Sequence, residues 1–184
     1  MSGNNLFRCL VPRLYVPSLF AVDLDFLRQQ GICGIMLDLD NTIIYRDAGH
    51  FSAEIISWVE KAKEKNFKIC IISNNRPQRV LGLALELGLP AVCRGIKPLP
   101  APFRRALALL GTAPGETAVV GDQIFTDILG GNRLGLYTIL VAPLPGKEFW
   151  ATRLINRQLE KPVLWWIKRG KKGKEAQRHK GTKA

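Results

Sequence analysis

The chain has 184 residues, 47% of them apolar, which suits one domain with one substantial core and excludes a disordered polymer. Its net charge of +12 is uneven: residues 151–184 hold 11 Lys and Arg against 2 acids, and residues 1–150 hold 16 against 13. The body is therefore close to neutral, and the attraction for a polyanionic partner, membrane or nucleic acid, belongs to the tail.

In chain order, residues 1–31 read as an irregular lead-in broken by Pro12 and Pro17, with a short helix over 23–30 that Asp23 starts and Gly31 ends. The apolar run 35–37 is a short buried strand that stops at Asp38-Leu39-Asp40-Asn41-Thr42. Ser52 can cap a helix over 53–65 whose inner face carries Ile55, Ile56, Val59 and Ala62. A second strand over 68–72 ends at Ser73-Asn74-Asn75, and Pro77 opens a helix to about 87. A short strand over 91–93 leads to Gly95-Ile96-Lys97-Pro98, and a helix follows over 102–110. A fourth strand, 117–120, ends at Gly121-Asp122; a short helix over 127–132 then precedes a fifth, 137–141. Strand alternating with helix predicts an α/β fold: an open parallel sheet of about five strands with helices on both faces. Ligands of such sheets bind beyond the carboxyl ends of the strands. There the first four strands deliver Asp38 and Asp40, Ser73, Lys97 and Asp122.

That set has a chemistry. Two acids at the mouth of a buried strand are desolvated and repel each other, a cost that a metal ion removes. A phosphate monoester is a dianion, so a carboxylate attacking it needs positive charge near the accumulating negative charge. Asp38 and Asp122 can share a Mg²⁺, which prefers a few carboxylates and keeps several waters. Asp38 is the candidate nucleophile, Asp40 the acid and base, Ser73 a donor to the transferring phosphoryl group, and Lys97 its counter-charge. The cysteines, Cys9, Cys33, Cys70 and Cys93, form no C-x-x-C pair and are expected as packing residues in a reducing compartment, with disulfide pairing the alternative.

The order of these segments resembles the haloacid dehalogenase (HAD) superfamily, subfamily IIIA, and within it the YqeG-type and mitochondrial phosphatidylglycerophosphatase branch. The likeness rests on Asp38-Leu39-Asp40-Asn41-Thr42, Ser73-Asn74-Asn75, Gly95-Ile96-Lys97-Pro98, Gly121-Asp122-Gln123-Ile124-Phe125-Thr126-Asp127 and Gly130-Gly131-Asn132-Arg133. The resemblance implies a HAD-like Rossmannoid core over 32–146 and Mg²⁺ held by Asp38, the Asp40 backbone carbonyl and Asp122. Asp127 would be an outer ligand or the partner of Lys97. Asn41, Thr42 and Asn74 are expected beside Ser73 and Lys97 at the phosphate. One departure is Gly95, where the branch leads one to expect Ala. The implied reaction is hydrolysis of phosphatidylglycerophosphate to phosphatidylglycerol through an aspartyl-phosphate.

The intervals between the motifs leave no room for a cap domain, so the site is expected to take a phosphate displayed on a large or surface-bound substrate. A lipid headgroup leads; nucleic-acid ends and phosphoproteins are alternatives, as is a binding module for RNA or ribosomes on the same fold. No apolar run reaches the ~20 residues of a membrane span, and Arg8, Pro12, Arg13 and Pro17 interrupt any secretory leader. A cytoplasmic protein is expected, peripheral on the inner face of a membrane. Residues 147–184 would form a basic, Trp-containing helix over 148–160 and a tail. There Trp165 and Trp166 stand before Lys168-Arg169-Gly170-Lys171-Lys172-Gly173-Lys174, a pairing suited to an anionic headgroup layer.

Overall fold

The computed structural model describes residues 8–93 and 95–144. The chain divides into two units, Met1–Pro145 and Gly146–Ala184, and everything described belongs to the first. The expected helix over 148–160 and the basic tail lie outside the described residues.

Six strands form one parallel sheet: β1 (Leu14–Val16), β2 (Gly34–Leu37), β3 (Lys68–Ile72), β4 (Ala91–Val92), β5 (Thr117–Gly121) and β6 (Tyr137–Val141). Their order is β1-β6-β5-β2-β3-β4. The chain thus runs outward from β2 through β3 to β4, then resumes on the other side at β5. The order reverses between β2 and β5, where a parallel sheet opens a crevice at its carboxyl edge. Leu37 lies in register with Val120, so the residues after β2 and β5 emerge side by side at that point.

The lead-in is more than irregular chain. It supplies β1, which pairs with β6 from Leu14↔Ile139 to Val16↔Val141. The flanking prolines are compatible because an edge strand needs only one bonded side. Leu19, Val22, Leu24 and Leu27 are also buried in the main core.

Helices α1 (Leu24–Gln29), α2 (Ala53–Glu64), α3 (Pro77–Glu86), α4 (Pro100–Leu110) and α5 (Leu129–Arg133) complete the unit. The period-two alternation of a strand divides the core between the sheet's faces. Ile35 and Leu37 join Leu27, Trp58, Val59, Val80 and Leu83 on one face. Met36, Cys70, Ile72 and Val119 meet Phe103, Ala106 and Leu110 on the other. Asp23 caps α1 by accepting from the Asp25 and Phe26 amides at 2.9 and 3.0 Å, which is how its Asp-x-Asp spacing differs in purpose from that of Asp38. Ser52 holds the N-cap position of α2, but its hydroxyl makes no capping bond. The short helix expected over 127–132 begins earlier, as a π-helical turn over Ile124–Ile128 that continues into α5. All four cysteines are free thiols.

Between β2 and β3 there is only a flap, α2 and its exit turn; between β3 and β4, only α3 and its flanking loops. The core is capless.

Candidate active site

Asp38 is the first residue past β2, its amide still bonded to the Val120 carbonyl at 2.9 Å. The chain then reverses. Asn41 takes a left-handed φ of 61°, a conformation its short polar side chain tolerates, and its amide reaches the Ile44 carbonyl at 2.8 Å. This turn brings Thr42 back over the strand end. Its buried hydroxyl lies 3.1 Å from Asp38 Oδ2 and 3.3 Å from Asp122 Oδ1, so it can donate to either acid.

Lys97 enters from the loop after β4 and is 4% exposed. Its ammonium donates to Asp38 Oδ1 at 2.5 Å, Asp127 Oδ1 at 2.6 Å and the Ile72 carbonyl at 3.0 Å. Asn74 holds the lysine backbone from both sides, accepting from its amide at 2.8 Å and donating to its carbonyl at 3.3 Å. The preceding Gly95 has a φ of +144°, where a Cβ would stand 2.5 Å from the Arg105 guanidinium and 3.2 Å from Pro102. Glycine instead of alanine is thus a backbone requirement of this loop.

Asp127 is fully buried and reaches the site because the π-helical turn places it directly over Gly121. A Cβ on Gly121 would fall 2.3 Å from the Asp127 carboxylate, so only glycine admits that approach. Asp127 Oδ2 accepts from the Gln123 amide at 3.3 Å and the Thr126 hydroxyl at 3.2 Å.

One carboxylate oxygen from each of Asp38, Asp122 and Asp127 lies within 4.8 Å of the others. Burial pushes the Asp122 carboxyl up to about 9, helped by the charges of Asp38 and Asp127. Burial likewise raises Asp127 to about 6, with Lys97 opposing. Burial alone would lower the Lys97 ammonium, but Asp127 and Asp38 outweigh it and hold the group above its ordinary value. With all three acids ionised, Lys97 leaves two negative charges uncompensated. An all-oxygen donor set with excess negative charge fits a hard divalent cation.

The sequence-expected residues thus converge. Asp38, Lys97, Asp122 and Asp127 form one cluster, with Thr42 bridging two of its acids. Ser73 is buried at the end of β3, and its Oγ accepts from the Asn75 amide at 3.1 Å. The Asp40 carboxylate is outside the three-acid group: Asn75 Nδ2 donates to its Oδ2 at 2.9 Å, and Arg79 Nη2 lies 3.5 Å from its Oδ1. Asn75 and Arg79 were not among the expected site residues. Asn75 entered only as part of the Ser73-Asn74-Asn75 segment, and nothing in local spacing marks Arg79.

Residues 18–135 match the family model of the haloacid dehalogenase-like hydrolases. The chain belongs to that family. This HAD-like hydrolase is 36% identical over 164 residues to "Probable phosphatase YqeG" of Bacillus subtilis, an alignment spanning 89% of this chain and 95% of the relative. It is 26% identical over 174 residues to "Phosphatidylglycerophosphate phosphatase 1, chloroplastic/mitochondrial" of Arabidopsis thaliana, spanning 89% of this chain and half of that longer protein. Among solved structures, an uncharacterized protein from Listeria monocytogenes superposes with a TM-score of 0.51 at 19% identity, over 64% of this chain and 84% of that one. A 3-deoxy-D-manno-octulosonate 8-phosphate phosphatase from Yersinia pestis gives 0.50 at 14% identity, over 65% and 78%. These two likenesses establish the fold. Family and phosphatase relative together make the chain a HAD-type phosphatase.

Proposed function

We propose that the chain is a Mg²⁺-dependent phosphomonoesterase that works through a phosphorylated Asp38 and acts on phosphatidylglycerophosphate. The observation that carries the reaction is the buried cluster at the β2/β5 switch point: a carboxylate at the end of the central strand, one lysine, and two further acids. Asp38 and Asp122, with Asp127 beside them, would hold Mg²⁺, whose charge offsets that of the incoming phosphate dianion.

An Asp38 oxygen attacks phosphorus, the bond from phosphorus to the ester oxygen breaks, and Asp40 gives its proton to that departing oxygen. Water then attacks the phosphorylated Asp38 and loses a proton to Asp40. Cleavage of the bond from phosphorus to Asp38 releases inorganic phosphate. Lys97 orients the nucleophile and offsets its charge, and Asn74 fixes Lys97 through its backbone. Ser73, Asn41 and Thr42 line the strand ends where the phosphoryl group would lie.

Two observations favour a lipid headgroup. The capless crevice is open to a substrate displayed on a surface. Ile96 and Leu99, flanking the buried Lys97 and half-buried Pro98, are 68% and 54% exposed, presenting apolar side chains at its rim. The named relative from Arabidopsis points the same way. A cytoplasmic enzyme, peripheral on an anionic membrane through its basic tail, fits this substrate; no helix among the described residues is long and apolar enough to cross a membrane.

The test is the purified protein with Mg²⁺ against phosphatidylglycerophosphate, a 5′-phosphorylated oligonucleotide and a phosphopeptide. Preference for the lipid supports the assignment, and preference for either other substrate replaces it. Inactivity on all three, with aryl phosphates also inert, returns the chain to a binding role.

A further inference from the structure

Arg79 is the third residue of α3, which begins at Pro77. A cation in a first turn meets the positive end of the helix dipole, so this is an unfavourable place for an arginine without a local anion. Its Nη1 donates to the Ala48 carbonyl at 2.7 Å and its Nη2 to the Tyr45 carbonyl at 3.1 Å; Nη2 also lies 3.5 Å from Asp40 Oδ1. Its Nε is buried without a hydrogen-bond partner among the described residues. An arginine kept only to bond the flap would have no reason to accept both a repelling dipole and an orphaned donor. The anion is Asp40, whose other oxygen takes the Asn75 amide group at 2.9 Å. Asn75 is itself braced, with its Oδ1 accepting from the Arg76 amide at 2.7 Å. Glu86, on the last turn of the same helix, accepts from the Phe51 amide at 3.0 Å, so α3 grips the flap at both ends.

We infer that Arg79 and Asn75 form a two-point clasp that aims Asp40 at the leaving-group oxygen, with Arg79 tying that aim to the position of the flap. Both are positioning residues: they act through Asp40, and the inference rests on the phosphatase reading above. A carboxyl held at both oxygens loses the torsional freedom that would let it point away from the ester oxygen, and proton donation requires hydrogen-bond reach. Because the two flap carbonyls share the guanidinium with Asp40, the acid is aimed when the flap is seated.

The experiment uses the full chain with Mg²⁺ and a series of aryl phosphates from 2,4-dinitrophenyl to unsubstituted phenyl phosphate. The readout is kcat/KM, which reports only the steps through departure of the leaving group. Dinitrophenolate leaves without a proton, whereas phenolate needs one. Arg79→Gln should lose about tenfold or less on the dinitrophenyl ester and about a hundredfold or more on the phenyl ester. Asn75→Ala, which leaves the flap bonds alone, should steepen the dependence in the same sense. Asp40→Asn should be at least as steep, and adding Arg79→Gln to it should bring no further steepening. Arg79→Lys keeps the charge but not the planar fork, and should fall between wild type and Arg79→Gln. If Arg79→Gln is too unstable to assay, Asn75→Ala alone decides. An equal loss across the series, with Asp40→Asn still steep, would overturn the clasp while leaving the phosphatase reading standing. A wild type inactive on every ester would overturn both.

Discussion

Lys97 is the residue on which the electrostatics of the site turn, since it lies between Asp38 and Asp127 with almost no access to water. Lys97→Ala would strand buried acids without their cation, a change that typically costs about 3–5 kcal/mol. Thermal melts in chelator should register that loss, and Mg²⁺ should recover part of it. Asp38→Asn should behave differently. Asp127 still partners the lysine, and Asp122 is freed of a repelling neighbour, so stability should change little while turnover falls by several orders of magnitude. Asp122 sets a pH dependence whose sign follows from its raised carboxyl. Without metal the folded state keeps this proton up to about 9, whereas the unfolded chain releases it near 3.8. The folded state therefore binds more protons across that window, and metal-free stability declines as pH rises through it. Mg²⁺ must displace the proton, so its affinity should climb with pH by up to about tenfold per unit between 6 and 9; the gain in melting temperature with Mg²⁺ at pH 6 and 8.5 measures this. Asp38 and Asp122 were legible in the sequence because each directly follows a strand, and Lys97 because it sits in the loop after one, and strand ends converge. Arg79 was not, because its partner lies 39 residues away and is met only through the path of the flap.

At the scale of elements, local pattern located β2, β3, β4, β5 and β6, and failed where tertiary pairing decides. Leu14–Val16 is three residues between prolines, too short to show alternation, and becomes a strand only because β6 offers its free edge. The π-helical turn over Ile124–Ile128 begins three residues ahead of the helix expected over 127–132. Apolar spacing does not separate such a turn from the α-helix it joins, yet the wider turn is what delivers Asp127 to Lys97. The loop after β4 carries its own prediction. Ile96→Glu or Leu99→Glu places a charge on exposed apolar rim without touching the cluster. Turnover of phosphatidylglycerophosphate in anionic vesicles should fall about tenfold or more, from lost apolar contact and added repulsion, while hydrolysis of a soluble aryl phosphate should hold. Equal effects on the two substrates would count against a surface-bound substrate.

For the whole molecule, the division between a near-neutral body and a basic tail predicts separable duties. Deleting residues 162–184 should abolish salt-sensitive co-sedimentation with phosphatidylglycerol vesicles and spare soluble turnover, because every proposed catalytic residue lies upstream; vesicle binding unchanged by the deletion would rule out docking by the tail. The sheet order has a consequence of another kind. Asp38 and Asp122 follow neighbouring central strands, but Lys97 lies in the loop after β4, a two-residue edge strand whose one sheet partner is β3. Edges with few bonds open at lower free energy than the sheet as a whole. Peeling of β4 should draw the ammonium away and leave the acids behind, giving an inactive native-like state without global unfolding. Low urea should therefore silence catalysis before the far-UV spectrum changes. Deuterium should enter at the Ser73 amide, which bonds Val92 across the β3–β4 seam, ahead of the Asp38 amide, which bonds Val120 in the sheet's interior.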